Sequence, residues 1–263
     1  MALLDPEDEV LLPDPFFGMY RDVAALLNAK PVYFDIYPDF HLRIENIEKL
    51  VTPKTKAIVI NNPANPTGVS IRQPELDSLL EFAEAKGLWV IYDEIYSVFT
   101  FDHQVAQPLK RYDRVVVLNG ASKSHGIPGW RIGWAVAPIE VIAAMTKMQQ
   151  YTYICTPTLV QHGVLGTIGY DFSDIRDEYR RKRDFVFEAL KDRYDIGKSG
   201  GAYYFFLKAP GGSGQAFFER CLKKNLLIVP GHCFSRHDTH FRISFSAAQE
   251  TLERGVEILR DLV

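Results

Sequence analysis

The chain has 263 residues, of which 47% are hydrophobic, 24% charged and 13% aromatic, with a formal net charge of −3. This composition is typical of a soluble globular protein and argues against disorder, nucleic-acid binding and attraction to an anionic membrane. The cysteines, Cys155, Cys221 and Cys233, are odd in number and lack CxxC spacing, which favours a reducing cytoplasm over a disulfide framework. No apolar run is long enough to cross a bilayer.

Short apolar runs alternate with helical patterns in the first half of the chain. This alternation predicts βαβ units and a mainly parallel, doubly wound sheet. The predicted strands cover 9–13, 31–36, 56–62, 88–94, 114–119 and 131–137, and the predicted helices cover 18–30 and 73–87.

The pattern changes from Pro138 onwards. A helical stretch that breaks near Thr156 and Pro157 leads to a charged helix over 173–194, and the predicted strands after it cover 202–207, 226–230 and 240–246. Ser246 and Gln249 have the spacing of a capping box at the start of the last helix. We therefore predict a larger α/β part (1–145), a helical connection (146–172) and a smaller C-terminal α+β part (173–263).

Polar residues cluster where three predicted strands end. The segments are "NNPANPTG" with Asn65, "YDEIY" with Asp93 and Tyr96, and "NGASK" with Lys123. Ligands bind beyond the carboxyl ends of parallel strands, so these side chains are expected at one edge of the sheet. Taken singly, each has a simpler explanation: a turn, a helix cap or a solvated lysine.

The segments "NNPANPTG", "YDEIY", "SKSHGIPGWRIGW" and "FRISFS" resemble, in this order, the signature segments of fold-type I pyridoxal-phosphate (PLP) enzymes, specifically the class I/II aminotransferases. "PDPFF" and "GAYYFF" extend the resemblance over nearly the whole chain. The resemblance implies a PLP-transferase-like fold in which 1–145 is a truncated cofactor-binding domain and 173–263 is the small domain.

The resemblance also assigns roles around the cofactor ring. Lys123 would form the Schiff base, and Asp93 would face the ring nitrogen. Asn65 and Tyr96 would donate to the phenolate oxygen. Small neighbours of the lysine, such as Gly120, would let the ring lie against the sheet edge.

The remaining roles concern the two ends of the bound molecules. Arg131 matches the arginine that holds the cofactor phosphate, and Arg242, with Asn65, matches the group that binds the substrate carboxylate. Phe17 matches an aromatic residue stacked on the ring, although a core position is nearly as good an interpretation. Arg242 alone would read as a solvent-facing strand residue. Ser122 is counted with the cofactor-binding residues without a defined role.

The resemblance implies that the chain transfers an amino group between an α-amino acid and a 2-oxo acid, in amino-acid metabolism and biosynthesis. It also implies a cytoplasmic location and a homodimer if the upstream part is supplied. No metal, nucleic acid or membrane is expected as a partner. The alternatives are a PLP-dependent lyase or decarboxylase on the same fold, an inactive fragment, and the effector-sensing domain of a transcription regulator.

The chain departs from the family pattern in two ways. Gly120 stands where many relatives have a phosphate-binding serine, three residues before the lysine. The first residues resemble an internal segment of relatives, so we expect the upstream portion, with its anion-binding loop and helix N-terminus, to be absent and cofactor affinity to be lower.

Two further clusters receive simple explanations. The basic run at 180–183 lies among carboxylates in a predicted helix, which favours a solvated face over nucleic-acid binding. His232, Cys233, His237 and His240 are close in sequence, but their spacing matches no established zinc pattern.

Overall fold

The computed structural model describes residues 1–109 and 111–263. Six strands form the larger sheet, in the order β2-β1-β3-β4-β5-β6, and all neighbours are parallel except β5 and β6. The strands are β1 (Glu9–Asp14), β2 (Lys30–Asp35), β3 (Thr55–Asn61), β4 (Trp89–Asp93), β5 (Val115–Gly120) and β6 (Gly133–Val136). The predicted mainly parallel α/β sheet is confirmed. Within the described residues, no helix has the length and apolarity needed to cross a bilayer.

Helices connect these strands and cover the sheet. They are α1 (Gly18–Leu26), α2 (Ile44–Glu48), α3 (Gln73–Lys86) and α4 (Ala121–Ser124). The central strand β3 buries four consecutive apolar residues, as expected for a parallel strand covered on both faces. Helix α3 has Pro74 at its start and ends at Gly87, whose φ of 69° is left-handed.

The rest of the chain begins with three helices, α5 (Ile139–Thr152), α6 (Thr158–Leu165) and α7 (Ser173–Leu190). A three-stranded antiparallel sheet follows, in the order β7-β9-β8. Its strands are β7 (Tyr204–Lys208), β8 (Val229–Pro230) and β9 (His240–Ser244), and the helices beside it are α8 (Gly214–Leu222) and α9 (Gln249–Asp261). The predicted strand at 226–230 is thus reduced to its last two residues.

The core of the small sheet includes residues from the first half of the chain. Tyr96, Phe99 and Phe101, which follow β4, pack in the same buried cluster as residues of β7, β9, α7 and α9. The segment that follows the end of β4 is therefore fixed by both parts of the molecule. The division at 145 and 173 stays a prediction.

The predicted solvated face at 180–183 is wrong for Arg183. Its side chain is only 1% exposed and donates to Asp102, to Asp184 and to the carbonyl of Ser199. Arg183, Val186 and Leu190 are the buried residues of α7, and their spacing of three and four places the arginine on the packed face. The two carboxylates compensate its buried charge.

The predicted capping box is also wrong. Helix α9 begins at Gln249 after Ala248, and no side chain caps it. The hydroxyl of Ser246 instead pairs with that of Ser244 at 2.8 Å. Ser246 is engaged with the end of β9, so it does not reach the first turn of the helix.

Candidate active site

The carboxyl ends of β3, β4 and β5 lie side by side, as the sequence predicted. Asn61 is level with Asp93, and Asp93 is level with Leu118. The Asn61 amide donates to the backbone carbonyl of Asp93 at 2.9 Å and accepts the N–H of Asn65 at 2.8 Å. These two bonds fix the loop that carries Asn65 against the end of β4.

Asp93 is a largely buried carboxylate with two donors. Its Oδ2 accepts the hydroxyl of Tyr20 at 2.6 Å, and its Oδ1 accepts the N–H of Ile95 at 3.1 Å. Burial raises the pKa of Asp93, while the Tyr20 hydrogen bond, the Ile95 N–H and the charge of Lys123 oppose that rise. A cationic partner close to this carboxylate would favour its ionised form.

Sequence reasoning missed Tyr20. Burial, together with the adjacent Asp93, raises the pKa of Tyr20 well above its ordinary value, so the phenol stays a hydrogen-bond donor. Tyr20 lies in the first turn of α1, which follows β1 after a short connection. A polar residue in the first turn of the helix after β1 was the available signal.

Lys123 lies in α4, a single helical turn that follows β5 directly. Its Nζ is 5.9 Å from the centre of the Tyr96 ring. Among the residues that the structure describes, no carboxylate forms a salt bridge with it. Lys123 thus follows the strand next to the one that ends in Asp93, with its amine over the Tyr96 ring.

Gly120 has a structural reason for its size beyond the one inferred from sequence. A Cβ at this position would lie 2.9 Å from the carbonyl oxygen of Ile132 and 3.3 Å from the Ile95 side chain. The close approach of the β6 end leaves no space there for a serine side chain without a shift of the backbone.

Arg242 reaches the site from β9 of the small sheet. Its guanidinium donates to Asn65 Oδ1 at 2.8 Å and lies over the rings of Tyr204 and Phe234, with Cζ 4.4 and 4.5 Å from their centres. Burial lowers the pKa of Arg242. The solvent-facing alternative for this arginine does not describe the structure.

Tyr96 is 3% exposed, and its hydroxyl lies 3.0 Å from that of Tyr204. Burial raises the pKa of Tyr96, and the neighbouring phenols raise it further. Tyr96 therefore remains neutral and able to donate a hydrogen bond.

Three predicted site residues lie apart from this group or have no polar contact with it. Arg131 is exposed, and its Nη1 donates to the carbonyl of Pro128 at 2.8 Å. Phe17 packs edge-on against Tyr20, with ring centres 5.7 Å apart. Ser122 is half-buried next to Lys123. The roles assigned to these residues stay predictions.

The chain is similar in sequence to proteins of known families. The sequence profile of the family "Aminotransferase class I and II" matches residues 1–259. A probable aspartate aminotransferase of Methanocaldococcus jannaschii is 30% identical over 273 aligned positions, which cover 100% of this chain and 73% of that protein. A probable N-acetyl-LL-diaminopimelate aminotransferase of Bacillus subtilis is 34% identical, with 98% of this chain and 68% of that protein covered.

Solved structures agree with the sequence relatives. Aspartate aminotransferase from Thermotoga maritima superposes with a TM-score of 0.94 at 32% identity, over 99% of this chain and 71% of that one. An aromatic aminotransferase from Pyrococcus horikoshii gives 0.95 at 32% identity, over 100% and 76%. Sequence profile, relatives and fold all lead to one conclusion: the chain belongs to the class I and II aminotransferase family.

Proposed function

We propose that this chain is a PLP-dependent aminotransferase that moves an amino group between an α-amino acid and a 2-oxo acid. The observation that carries the proposal is that Asp93 ends β4 and Lys123 follows the neighbouring parallel strand β5, beside the loop whose Asn65 pairs with Arg242. The relatives described above are named as aminotransferases, so nothing favours the lyase or decarboxylase alternative.

The donor set fits the cofactor chemically. PLP supplies an aldehyde that condenses with amines and a cationic ring that accepts electrons. Asp93 is a buried carboxylate suited to a protonated ring nitrogen, and Lys123 is an amine without a salt bridge in the described structure. Tyr96 and Asn65 would donate to the phenolate oxygen, and Phe17 would lie against the ring face. Arg131 would hold the phosphate after releasing the Pro128 carbonyl.

The same residues account for the amino transfer. Arg242 binds the α-carboxylate of the amino acid and so fixes the α-carbon. The Lys123 amine would accept the proton from that carbon and give it up again before the oxo acid leaves, and it would carry out the reverse proton transfer when the second oxo acid is aminated. Asp93 keeps a negative charge beside the developing electron density. Tyr96 and Asn65 orient the reacting group.

The names of the relatives indicate different amino donors: aspartate, aromatic amino acids and N-acetyl-LL-diaminopimelate. Arg242 recognises the α-carboxylate, which is the part that these amino donors share. The three free cysteines support a cytoplasmic location.

Absorbance spectroscopy with added PLP tests the proposal. We expect a visible band that Lys123→Ala abolishes, and borohydride followed by peptide mapping should label Lys123. Lys224→Ala, at an exposed lysine outside the site, is the matched control. Amino transfer should fall by about 10³-fold or more in Lys123→Ala. A wild-type chain that binds PLP and transfers no amino group would identify an inactive fragment.

We also propose that the chain forms a homodimer through the β6–α5–α6 face. This face exposes a set of large apolar side chains: Trp130, Trp134, Val136, Ile139, Tyr151, Tyr153, Ile154, Leu159, Leu165, Ile168 and Tyr170. It also includes β6, an edge strand, and a cavity of about 550 Å³. Large exposed apolar patches mark interaction sites, and most soluble oligomers are homo-oligomers, so a second copy is the partner that we propose for this face.

Sedimentation velocity decides between monomer and dimer. Leu159→Glu, at a residue that is 83% exposed on this face, should dissociate the dimer. Leu227→Glu, at a leucine that is 78% exposed beside the small sheet, should leave it intact. A wild-type chain that stays monomeric over the whole accessible concentration range would overturn this proposal.

A further inference from the structure

Tyr204 contacts both halves of the candidate site. It lies at the start of β7 and is 7% exposed. Its hydroxyl is 3.0 Å from the Tyr96 hydroxyl, and the centre of its ring is 4.4 Å from Arg242 Cζ. Tyr204 therefore contacts both Tyr96, which is proposed to bind the cofactor ring, and Arg242, which is proposed to bind the substrate carboxylate.

The hydroxyl contact fixes the direction of Tyr96. The ring of Tyr96 meets those of Tyr203 and Tyr204 nearly edge-on, at 87° and 84°. Either hydroxyl of the Tyr96–Tyr204 pair is able to donate. When Tyr204 donates, the Tyr96 proton is free for a ligand, and the accepted hydrogen bond makes Tyr96 a stronger donor.

The ring contact fixes Arg242. Its guanidinium is enclosed between the rings of Tyr204 and Phe234 and is bonded to Asn65. An aromatic face attracts a cation and restricts a planar guanidinium, so the Tyr204 ring limits the positions that the Arg242 guanidinium can take.

The backbone of Tyr204 is also fixed against the loop that carries Asn65. Gly68 has a φ of 72°, and a Cβ there would be 2.4 Å from the Tyr204 carbonyl oxygen. The N–H of Gly201 donates to the carbonyl of Gly68 at 2.9 Å. Only a glycine allows this close contact, and it joins β7 to the loop after β3.

We propose that Tyr204 is a positioning residue that orients the Tyr96 hydroxyl and the Arg242 guanidinium together. This inference rests on the aminotransferase function proposed above. The two contacts are separable, because the hydroxyl serves Tyr96 and the ring serves Arg242. Phenylalanine keeps the ring alone, and leucine keeps neither.

Two measurements test the two contacts. The first is the pH midpoint of the absorbance change of bound PLP, and the second is the dissociation constant of propionate, a non-reactive carboxylate, measured with and without PLP. Tyr204→Phe should raise the spectral midpoint by roughly one pH unit or less, because Tyr96 becomes a weaker donor. Propionate binding should stay near the wild-type value.

Tyr204→Leu should raise the midpoint equally and also weaken propionate binding by roughly threefold to tenfold. Tyr194→Phe is the matched control, since Tyr194 is a buried tyrosine whose hydroxyl bonds to the Leu259 carbonyl away from the site. It should change neither measurement, although it also loses a buried hydrogen bond.

Equal midpoints in Tyr204→Phe and Tyr194→Phe, or wild-type propionate binding in Tyr204→Leu, would overturn the proposal. Propionate binding in the absence of PLP needs no cofactor, so this arm decides the role of the Tyr204 ring even if the wild-type chain fails to bind PLP. That failure would instead refute the aminotransferase function.

Discussion

The carboxyl edge of β3–β5 and the β6–α5–α6 face both include strands of the larger sheet. They differ in whether their side chains have partners within the chain. At the edge, the reactive residues are paired: Asp93 with Tyr20, Asn65 with Arg242, and Tyr96 with Tyr204. On the other face, α6 buries no residue and α5 buries only Val141.

The difference teaches that residues proposed to surround the cofactor ring are held by other elements of the chain, whereas the residue proposed to bind the phosphate is bonded within its own turn. Hydrogen bonds within the chain position Asp93 and Arg242, which are proposed to face the cofactor ring and the substrate carboxylate. Arg131, the proposed phosphate ligand, lies beside β6, and its guanidinium partner among the described residues is the Pro128 carbonyl of its own turn. The proposed dimer would make its contacts on the β6–α5–α6 face near Arg131, whereas Asp93 and Arg242 already have hydrogen-bond partners within the chain.

Among substitutions that test this comparison, we expect the largest loss of amino transfer at Asp93. Asp93→Asn should reduce amino transfer by about 10²-fold to 10³-fold, because an amide does not hold a protonated ring nitrogen. The free energy of unfolding should not fall, since burial penalises the ionised carboxylate and raises its pKa. Enzyme assays and urea denaturation measure the two effects. Asp113→Asn, at an exposed aspartate, should change neither.

Arg242→Lys should have the next largest effect. A lysine keeps the charge but loses the planar fork between two aromatic rings, so kcat/KM should fall by roughly 10-fold to 100-fold. Steady-state kinetics with one amino acid and one oxo acid measures this change. A lysine variant with unchanged kcat/KM would show that carboxylate capture lies elsewhere and would break the comparison.

A pH effect is expected at His240, on the small-sheet side of the edge. Burial lowers the pKa of His240 to about 4, and its ring is stacked on Phe206 at 5.1 Å. The unfolded chain therefore binds the proton more tightly, so stability is complete above the unfolded pKa of about 6.5 and is lost as the pH falls towards 4.

Urea denaturation at neutral pH and near pH 4.5 measures this loss. The wild type should lose roughly 1–2 kcal/mol more than His240→Gln between the two conditions, a range already reduced for partial solvent screening. His162→Gln, at an exposed histidine on α6, should behave like the wild type. An identical loss in His240→Gln would show that other groups cause the acid sensitivity.

The smallest effect concerns the predicted connection at 146–172. Chymotrypsin should cut first after Tyr151 or Tyr153, which are 74% and 64% exposed, and only later at the buried Tyr194 and Tyr204. Raising the protein concentration should slow the early cut severalfold if a second copy covers the face. Fragment masses locate the cut, and a first cut elsewhere would contradict the division of the chain.

The sequence predicted the mainly parallel sheet and the polar residues at its strand ends because βαβ periodicity and strand ends are local signals. Asn65, Asp93 and Lys123 each follow a strand, and parallel neighbours place such residues at one edge. The pairing of Tyr20 with Asp93 depends on where α1 crosses the sheet, and that of Tyr96 with Tyr204 joins residues 108 positions apart. Such contacts arise from tertiary packing, which no local pattern encodes.

Two errors have the same origin. Arg183 was predicted to be solvated because its neighbours in sequence are charged, yet the packing of α7 buries it. Ser246 has the right spacing for a cap, but the end of β9 engages its hydroxyl first. In both cases the competing partner comes from the folded surroundings and lies outside the pattern that was used.

The packing of Tyr96, Phe99 and Phe101 in the core of the small sheet limits how this protein can be recombined. A chimera that exchanged only the C-terminal part with that of another aminotransferase would place a foreign core against these three rings. Such an exchange therefore has to include residues 96–101 together with the C-terminal part. Gene fusion or loop grafting that respects this unit should conserve the geometry of the neighbouring carboxylate.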